Sequence, residues 1–124
     1  MSQIQRNELT AICREKLLMM KMELMNRARH LHSEFQNQDQ QHGDEIDLTV
    51  AQIAEDHFLL NQERVRKQLM EIEWALARIQ SGEFGVCEET HEPIEEARLL
   101  ALPFTRLSIE GAEIRERQYR KMSR

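Results

Sequence analysis

The chain has 124 residues, a length that suits a single domain, and 31% of its residues are charged while only 5% are aromatic. It contains just 4 Gly and 2 Pro, too few turn-formers for an all-β sandwich or barrel. The formal net charge of −5 disfavours binding to DNA through its phosphates, which requires clustered Lys and Arg. These numbers favour a helical protein without sequence-specific DNA binding.

The cysteine content and the first residues of the chain predict its cellular compartment. Cys13 and Cys87 are far apart and form neither a Cys-x-x-Cys pair nor a disulfide framework. The first ten residues, MSQIQRNELT, lack the apolar run of a signal peptide, and no window approaches 18 apolar residues. We therefore expect a soluble cytoplasmic protein that has no contact with a membrane.

Two long segments carry the periodicity of helices. Residues 1–42 and 44–81 contain neither Gly nor Pro, and Gly43 separates them. Apolar residues recur at steps of three and four from Leu9 to Phe35 and again from Val65 to Ile79. A stripe this narrow is typical of a two-stranded seam. We predict a long antiparallel coiled-coil hairpin over 1–81, with its second helix over 44–81 and its tip near 37–48.

The remaining residues, 82–124, predict a small knob followed by a helix. Both Pro residues and two of the four Gly residues lie between 82 and 104, which indicates compact turns. From about residue 105 the apolar spacing becomes helical again, giving an all-α fold class overall. The candidate core residues of the knob are Phe84, Val86, Ile94, Leu99, Leu100, Leu102, Phe104, Leu107 and Ile109.

The predicted tip of the hairpin is acidic. Between His30 and Glu63 there is no Lys or Arg, and most of the acids there suit a solvated helix face. Asp44 and Asp47 differ, because they sit at the turn, where a protein built to reach a partner would carry its working groups. Asp44 also follows Gly43 and could cap the second helix, and the two roles are compatible.

Three segments together resemble the DksA/TraR family of bacterial RNA-polymerase-binding regulators. Residues 44–49 (DEIDLT) match the family's tip pattern Asp-x-x-Asp-x-Ala except for Thr49, and 75–87 (ALARIQSGEFGVC) are similar to its run into a zinc finger. The third segment spans 91–118, with HEPI, RL and IRERQ in family order. The resemblance implies a monomer whose hairpin enters the secondary channel of RNA polymerase. There the tip residues Asp44, Asp47 and Thr49 would modulate initiation.

The zinc finger is where the sequence departs from this family. Of the four cysteine positions in two Cys-x-x-Cys pairs, the first pair reads Cys87 and Thr90, and we assign the second pair to Leu107 and Glu110. A structural zinc normally has four N or S ligands, and a shifted site using His91 would still lack one. We therefore predict that the knob binds no zinc and packs through apolar residues.

The remaining cofactor and redox functions have little support in the sequence. Relatives in this family cooperate with guanosine tetraphosphate in the stringent response through basic side chains, but Glu71, Leu102 and Ala112 occupy the surfaces concerned. We assign no residues to that nucleotide, and dependence on it stays open. Glu88 and Glu89 should raise the pKa of the neighbouring Cys87 thiol and make it unreactive.

No catalytic constellation is present, since the sequence has no glycine-rich phosphate loop and no H-E-x-x-H motif. We therefore expect no enzymatic activity. Two alternatives to polymerase regulation remain. One is a Gre-like factor that stimulates transcript cleavage from the same channel, and the other is a coiled-coil adaptor for another protein.

Overall fold

The computed structural model describes residues 3–42 and 47–123 and is built from four helices in this part of the chain. α1 spans Gln3–His42, α2 spans Leu48–Ser81, α3 spans Glu96–Ala101 and α4 spans Ile109–Met122. The described residues hold no strand, only an isolated bridge between Val86 and Pro93. This confirms the predicted all-α fold class.

The chain divides into two compact units, which we call the paired-helix unit and the knob unit. The paired-helix unit contains residues 20–70. In it, the ring of Phe35 in α1 stacks on that of Phe58 in α2, with centroids 4.3 Å apart. Leu24 and Val65 are buried in the same unit, each on the stripe predicted for its helix. The three-four spacing of apolar residues therefore identified the packed face of both helices.

The knob unit combines residues 1–19 with 71–124. Its core joins Leu9 and Cys13 of α1 to Cys87, Ile94 and Leu99, all of them buried. Phe84, Leu100 and Leu107 pack around this cluster. Val86, Leu102 and Ile109 were also expected in the core, but they are 38–52% exposed. The core uses α1 side chains in their place, because the knob segment alone supplies too few inward-facing apolar groups.

Both ends of α2 are capped, and its start differs from the sequence prediction. The helix was expected from residue 44, but it begins at Leu48 because Asp47 is its N-cap. The Asp47 carboxylate accepts the Thr49 backbone N–H at 3.0 Å, and its carbonyl accepts the Ala51 N–H at 3.0 Å. At the other end, the Glu83 N–H reaches the Arg78 carbonyl at 2.9 Å across Gly82, which has a φ of 81°. This is a Schellman motif, and glycine supplies the positive φ it requires.

The knob contains a short helix that periodicity did not reveal, and its last helix begins later than expected. α3 has 6 residues and buries Leu99. α4 was expected from about residue 105 and begins at Ile109, because Ser108 caps it by accepting the Gly111 N–H at 3.0 Å. Among the residues described, none of these helices is both long and apolar enough to cross a membrane.

The packing of two knob leucines gives a test of this core. Leu99 is 1% exposed and Leu102 is 38% exposed, although both were expected to be buried. We expect Leu99→Ala to lower the free energy of unfolding by about 2–5 kcal/mol, the usual loss for a buried leucine. Leu102→Ala is the matched control and should cost clearly less. Denaturant unfolding followed by circular dichroism measures both, and equal losses would contradict the core described here.

Candidate functional site

Of the predicted tip residues, Asp47 and Thr49 lie at the start of α2, and Asp44 lies outside the described residues. Asp47 and Thr49 are exposed, and they are joined by the capping hydrogen bond. Capping was anticipated for Asp44, but the described cap is Asp47. One oxygen of the Asp47 carboxylate is engaged by the helix, and the side chain remains accessible to a partner.

Three positions of the knob converge on the sulfur of Cys87. The hydroxyls and backbone N–H groups of Thr90 and Ser108 donate hydrogen bonds to this sulfur. Gly111 lies against it so closely that a Cβ on this residue would overlap the sulfur. Cys87 is completely buried, and Ser108 is 4% exposed. We call Cys87, Thr90, Ser108 and Gly111 the thiol centre.

The thiol centre corrects the sequence assignment of the second ligand pair. Leu107 and Glu110 were assigned to it, but Ser108 and Gly111, each one residue later, contact the Cys87 sulfur. Leu107 packs on the apolar cluster, and Glu110 is exposed. The three-residue step from Cys87 to Thr90 could not distinguish the two pairs, because Leu107 and Glu110 have the same spacing as Ser108 and Gly111.

The residues of the thiol centre do not fit a structural zinc ion. Such an ion takes four N or S ligands, and here Cys87 alone offers one. Gly111 has no side chain, and the hydroxyls of Thr90 and Ser108 are already bonded to the sulfur. His91, the possible substitute, is exposed. In the part of the chain that the structure describes, no three His, Cys, Asp or Glu side chains are grouped to hold a metal.

The environment of Cys87 reverses the expectation for its pKa. Burial raises the pKa of the thiol, but the hydrogen bonds from Ser108 and Thr90 outweigh burial and lower it to about 6. Glu88 and Glu89 were expected to raise it. Their carboxylates instead pair with Arg115, at 3.4 and 3.0 Å, which offsets their charge. The predicted rise in the Cys87 pKa was therefore wrong.

A network of charged side chains covers the surface beside the thiol centre. Arg106 pairs with Glu71 at 3.4 Å and with Glu88 at 3.7 Å, and its guanidinium lies 5.4 Å from the centre of the Trp74 ring. Glu71 occupies a position where the resemblance suggested a basic residue for nucleotide binding. The Glu71 carboxylate is paired with Arg106, so this position carries an acidic side chain engaged in an ion pair.

The lowered pKa of Cys87 gives a pH-dependent prediction. An unfolded cysteine titrates near its ordinary pKa of about 8.5, whereas folded Cys87 titrates near 6. Its thiolate therefore stabilises the fold fully above the ordinary value, and this contribution is lost as the pH falls toward 6. Ultraviolet absorbance of the thiolate should show the low transition in Cys13→Ser and not in Cys87→Ser.

Cys13 serves as the control for that titration, because burial raises the pKa of its thiol. Unfolding curves across the same pH range should show the parent losing stability relative to Cys87→Ser as the pH is lowered. A single transition at or above the ordinary cysteine value in the parent would contradict the geometry of the thiol centre.

Comparison with known proteins connects this geometry to a family. A sequence model described as the prokaryotic dksA/traR C4-type zinc finger matches residues 82–117. The RNA polymerase-binding transcription factor DksA of Caulobacter vibrioides is 36% identical over 107 residues, covering 86% of this chain and 75% of that protein. The uncharacterized protein YlyA of Bacillus subtilis is 43% identical over 42 residues, about a third of each chain.

A solved structure is similar along nearly the whole chain. The transcription factor DksA2 from Pseudomonas aeruginosa superposes with a TM-score of 0.83 at 34% identity, covering 91% of this chain and 87% of that one. The fold and the resemblance seen in the sequence thus agree. The relatives named as regulators are transcription factors rather than enzymes, in agreement with the expectation from the sequence. The chain belongs to the DksA/TraR family.

Proposed function

We propose that this protein binds RNA polymerase directly and regulates transcription initiation. The observation that carries the proposal is the 36% identity to an RNA polymerase-binding transcription factor across 86% of the chain. The similarity extends beyond the zinc-finger segment of 82–117 into both long helices, so it includes the part that would contact the enzyme. The proposed contact is with the protein surface of polymerase, without sequence-specific recognition of DNA.

We further propose that the hairpin enters the secondary channel and acts there through its acidic tip. Asp47 supports this, because it is an exposed carboxylate at the N-cap of α2. From Asp47 to Glu63 the chain holds four acids and no Lys or Arg, so this part of α2 would present negative charge to a partner. Asp44 and Thr49 complete the proposed tip.

The conditions of action form part of the same proposal. The protein acts in the cytoplasm as a monomer, and it requires no zinc, because the thiol centre cannot supply the ligands. Cooperation with guanosine tetraphosphate receives no support from Glu71, which pairs with Arg106. We assign no nucleotide-binding residues.

The tip proposal is tested with Asp47→Asn, alone and combined with Asp44→Asn. Asn caps helices about as well as Asp, so α2 should keep its start and the melting temperature should hardly change. Binding to polymerase should also persist, while regulation of initiation in a purified transcription system should be lost. The change removes negative charge at the proposed point of action and leaves the rest of the surface intact.

Asp56→Asn is the matched control, since Asp56 is exposed on the same helix and makes a side-chain hydrogen bond to Gln52 at 3.0 Å. It removes the same charge two turns away and should leave regulation unchanged. Transcript cleavage in arrested polymerase complexes would favour the Gre-like alternative. Full regulation by the double tip variant would refute the tip mechanism, and failure to bind polymerase at all would favour an adaptor.

A further inference from the structure

We propose that the thiol centre is a metal-free replacement for the family's zinc centre. In it, hydrogen bonds to one buried sulfur join the two halves of the knob, and Gly111 leaves the volume that this sulfur fills. The inference concerns how the knob is held together. It does not rest on the proposed function, and its tests measure stability and metal content rather than transcription.

The first support is that the sulfur connects two segments separated in sequence. Thr90 follows Cys87 before α3, whereas Ser108 and Gly111 lie at the start of α4. Both segments donate to the sulfur, through the hydroxyl and backbone N–H of Thr90 and of Ser108. A zinc ion held by two pairs of ligands would join the same two segments. The hydrogen bonds therefore occupy the place of the metal bonds.

Backbone hydrogen bonds hold Cys87 in position for this role. Its N–H donates to the Glu92 carbonyl at 2.8 Å, and its own carbonyl accepts the His91 N–H at 2.9 Å. The next residue, Glu88, donates to the Arg106 carbonyl at 2.9 Å. Backbone hydrogen bonds from both halves of the knob therefore position Cys87 independently of its contact with Ser108.

The second support is the space at Gly111. A Cβ there would overlap the Cys87 sulfur, and its next neighbours would be the Ser108 Oγ at 3.3 Å and the Glu89 Cβ at 3.4 Å. The Cys87 sulfur occupies the space that the Cβ of any other residue at position 111 would need. Glycine is otherwise unfavourable inside a helix relative to alanine, so its presence in α4 needs this local reason.

The third support is that the polar groups of the centre are satisfied without an ion. The Ser108 hydroxyl accepts the Gly111 N–H at 3.0 Å and donates to the sulfur. Across the described residues, no buried side-chain N or O atom lacks a hydrogen-bond partner. The centre therefore has no unpaired donor or acceptor that a metal would be needed to complete.

The first experiment measures metal in the full-length protein. After incubation with excess zinc and desalting, metal analysis should find far less than one zinc per chain. The melting temperature should be the same with zinc and with a chelator. One tightly bound zinc per chain, with a lower melting temperature after its removal, would overturn the proposal.

The second experiment is a double-mutant cycle between Gly111→Ala and Cys87→Ala. In the parent, Gly111→Ala should lower the melting temperature by several degrees, because the new Cβ displaces the sulfur. In the Cys87→Ala background the same change should be neutral or stabilising, because the obstructing atom is gone and alanine favours the helix. Cys13→Ala is the matched background: it removes another buried thiol away from Gly111, so Gly111→Ala should remain destabilising there.

The cycle stays informative if Gly111→Ala alone does not fold. In that case the double variant should recover folding, as judged by helical circular dichroism and a cooperative melt. An equal loss in the parent and Cys87→Ala backgrounds, no loss in the parent, or a double variant that fails to fold although Cys87→Ala alone folds would each overturn the proposal.

Discussion

The knob depends on side chains that reach it from the two long helices, and this dependence organises the knob unit. The turns of the knob and the end of α3 leave backbone carbonyls that no helix hydrogen bond uses. Arg6 and Lys16 of α1 donate to the carbonyls of Gly85 and Leu100, at 3.2 and 2.9 Å. Arg78 of α2 donates to that of Phe104 at 3.4 Å. The ends of the hairpin thus supply both core and hydrogen bonds to the knob.

The same dependence explains how a small segment can hold its shape with little apolar material. Segments of this size commonly need a metal or a disulfide, because they bury too little surface alone. Here Leu9 and Cys13 extend the core from α1, and the Cys13 thiol also donates to the Leu99 carbonyl at 3.6 Å. In the proposed metal-free knob, these contacts from α1 would supply part of the stability that a zinc ion would otherwise give.

The sequence predicted the helices and their packed faces well, because helix periodicity is a local pattern that repeats over many turns. It placed the ends of α1 and α2 at residues 42 and 81 but missed the starts of α2 and α4, because the caps at Asp47 and Ser108 depend on hydrogen bonds that form only in the folded chain. The second ligand pair was also placed one residue too early, at Leu107 and Glu110. Ser108 and Gly111 carry no ligand chemistry of their own, and their part becomes visible only when they meet the Cys87 sulfur in space.

The lowered pKa of Cys87 could not be predicted from the sequence, for a related reason. Neighbours in sequence, Glu88 and Glu89, suggested a rise, whereas neighbours in space decide the outcome. Arg115 engages both carboxylates from α4, a contact between residues 26 or more positions apart. An electrostatic argument from adjacent residues fails when a residue of opposite charge, distant in sequence, pairs with those carboxylates.

The cap at the start of α2 has a consequence for binding. Because Asp47 Oδ1 accepts the Thr49 N–H, this hydrogen bond favours one orientation of the side chain in the free protein. A flexible surface carboxylate would lose that freedom on meeting a partner, at a cost of about 0.5–1.5 kcal/mol per ordered side chain. For Asp47 much of that entropy is lost when α2 forms. Its second oxygen is therefore oriented before binding. Less of the interaction energy with a partner would be spent on ordering this side chain.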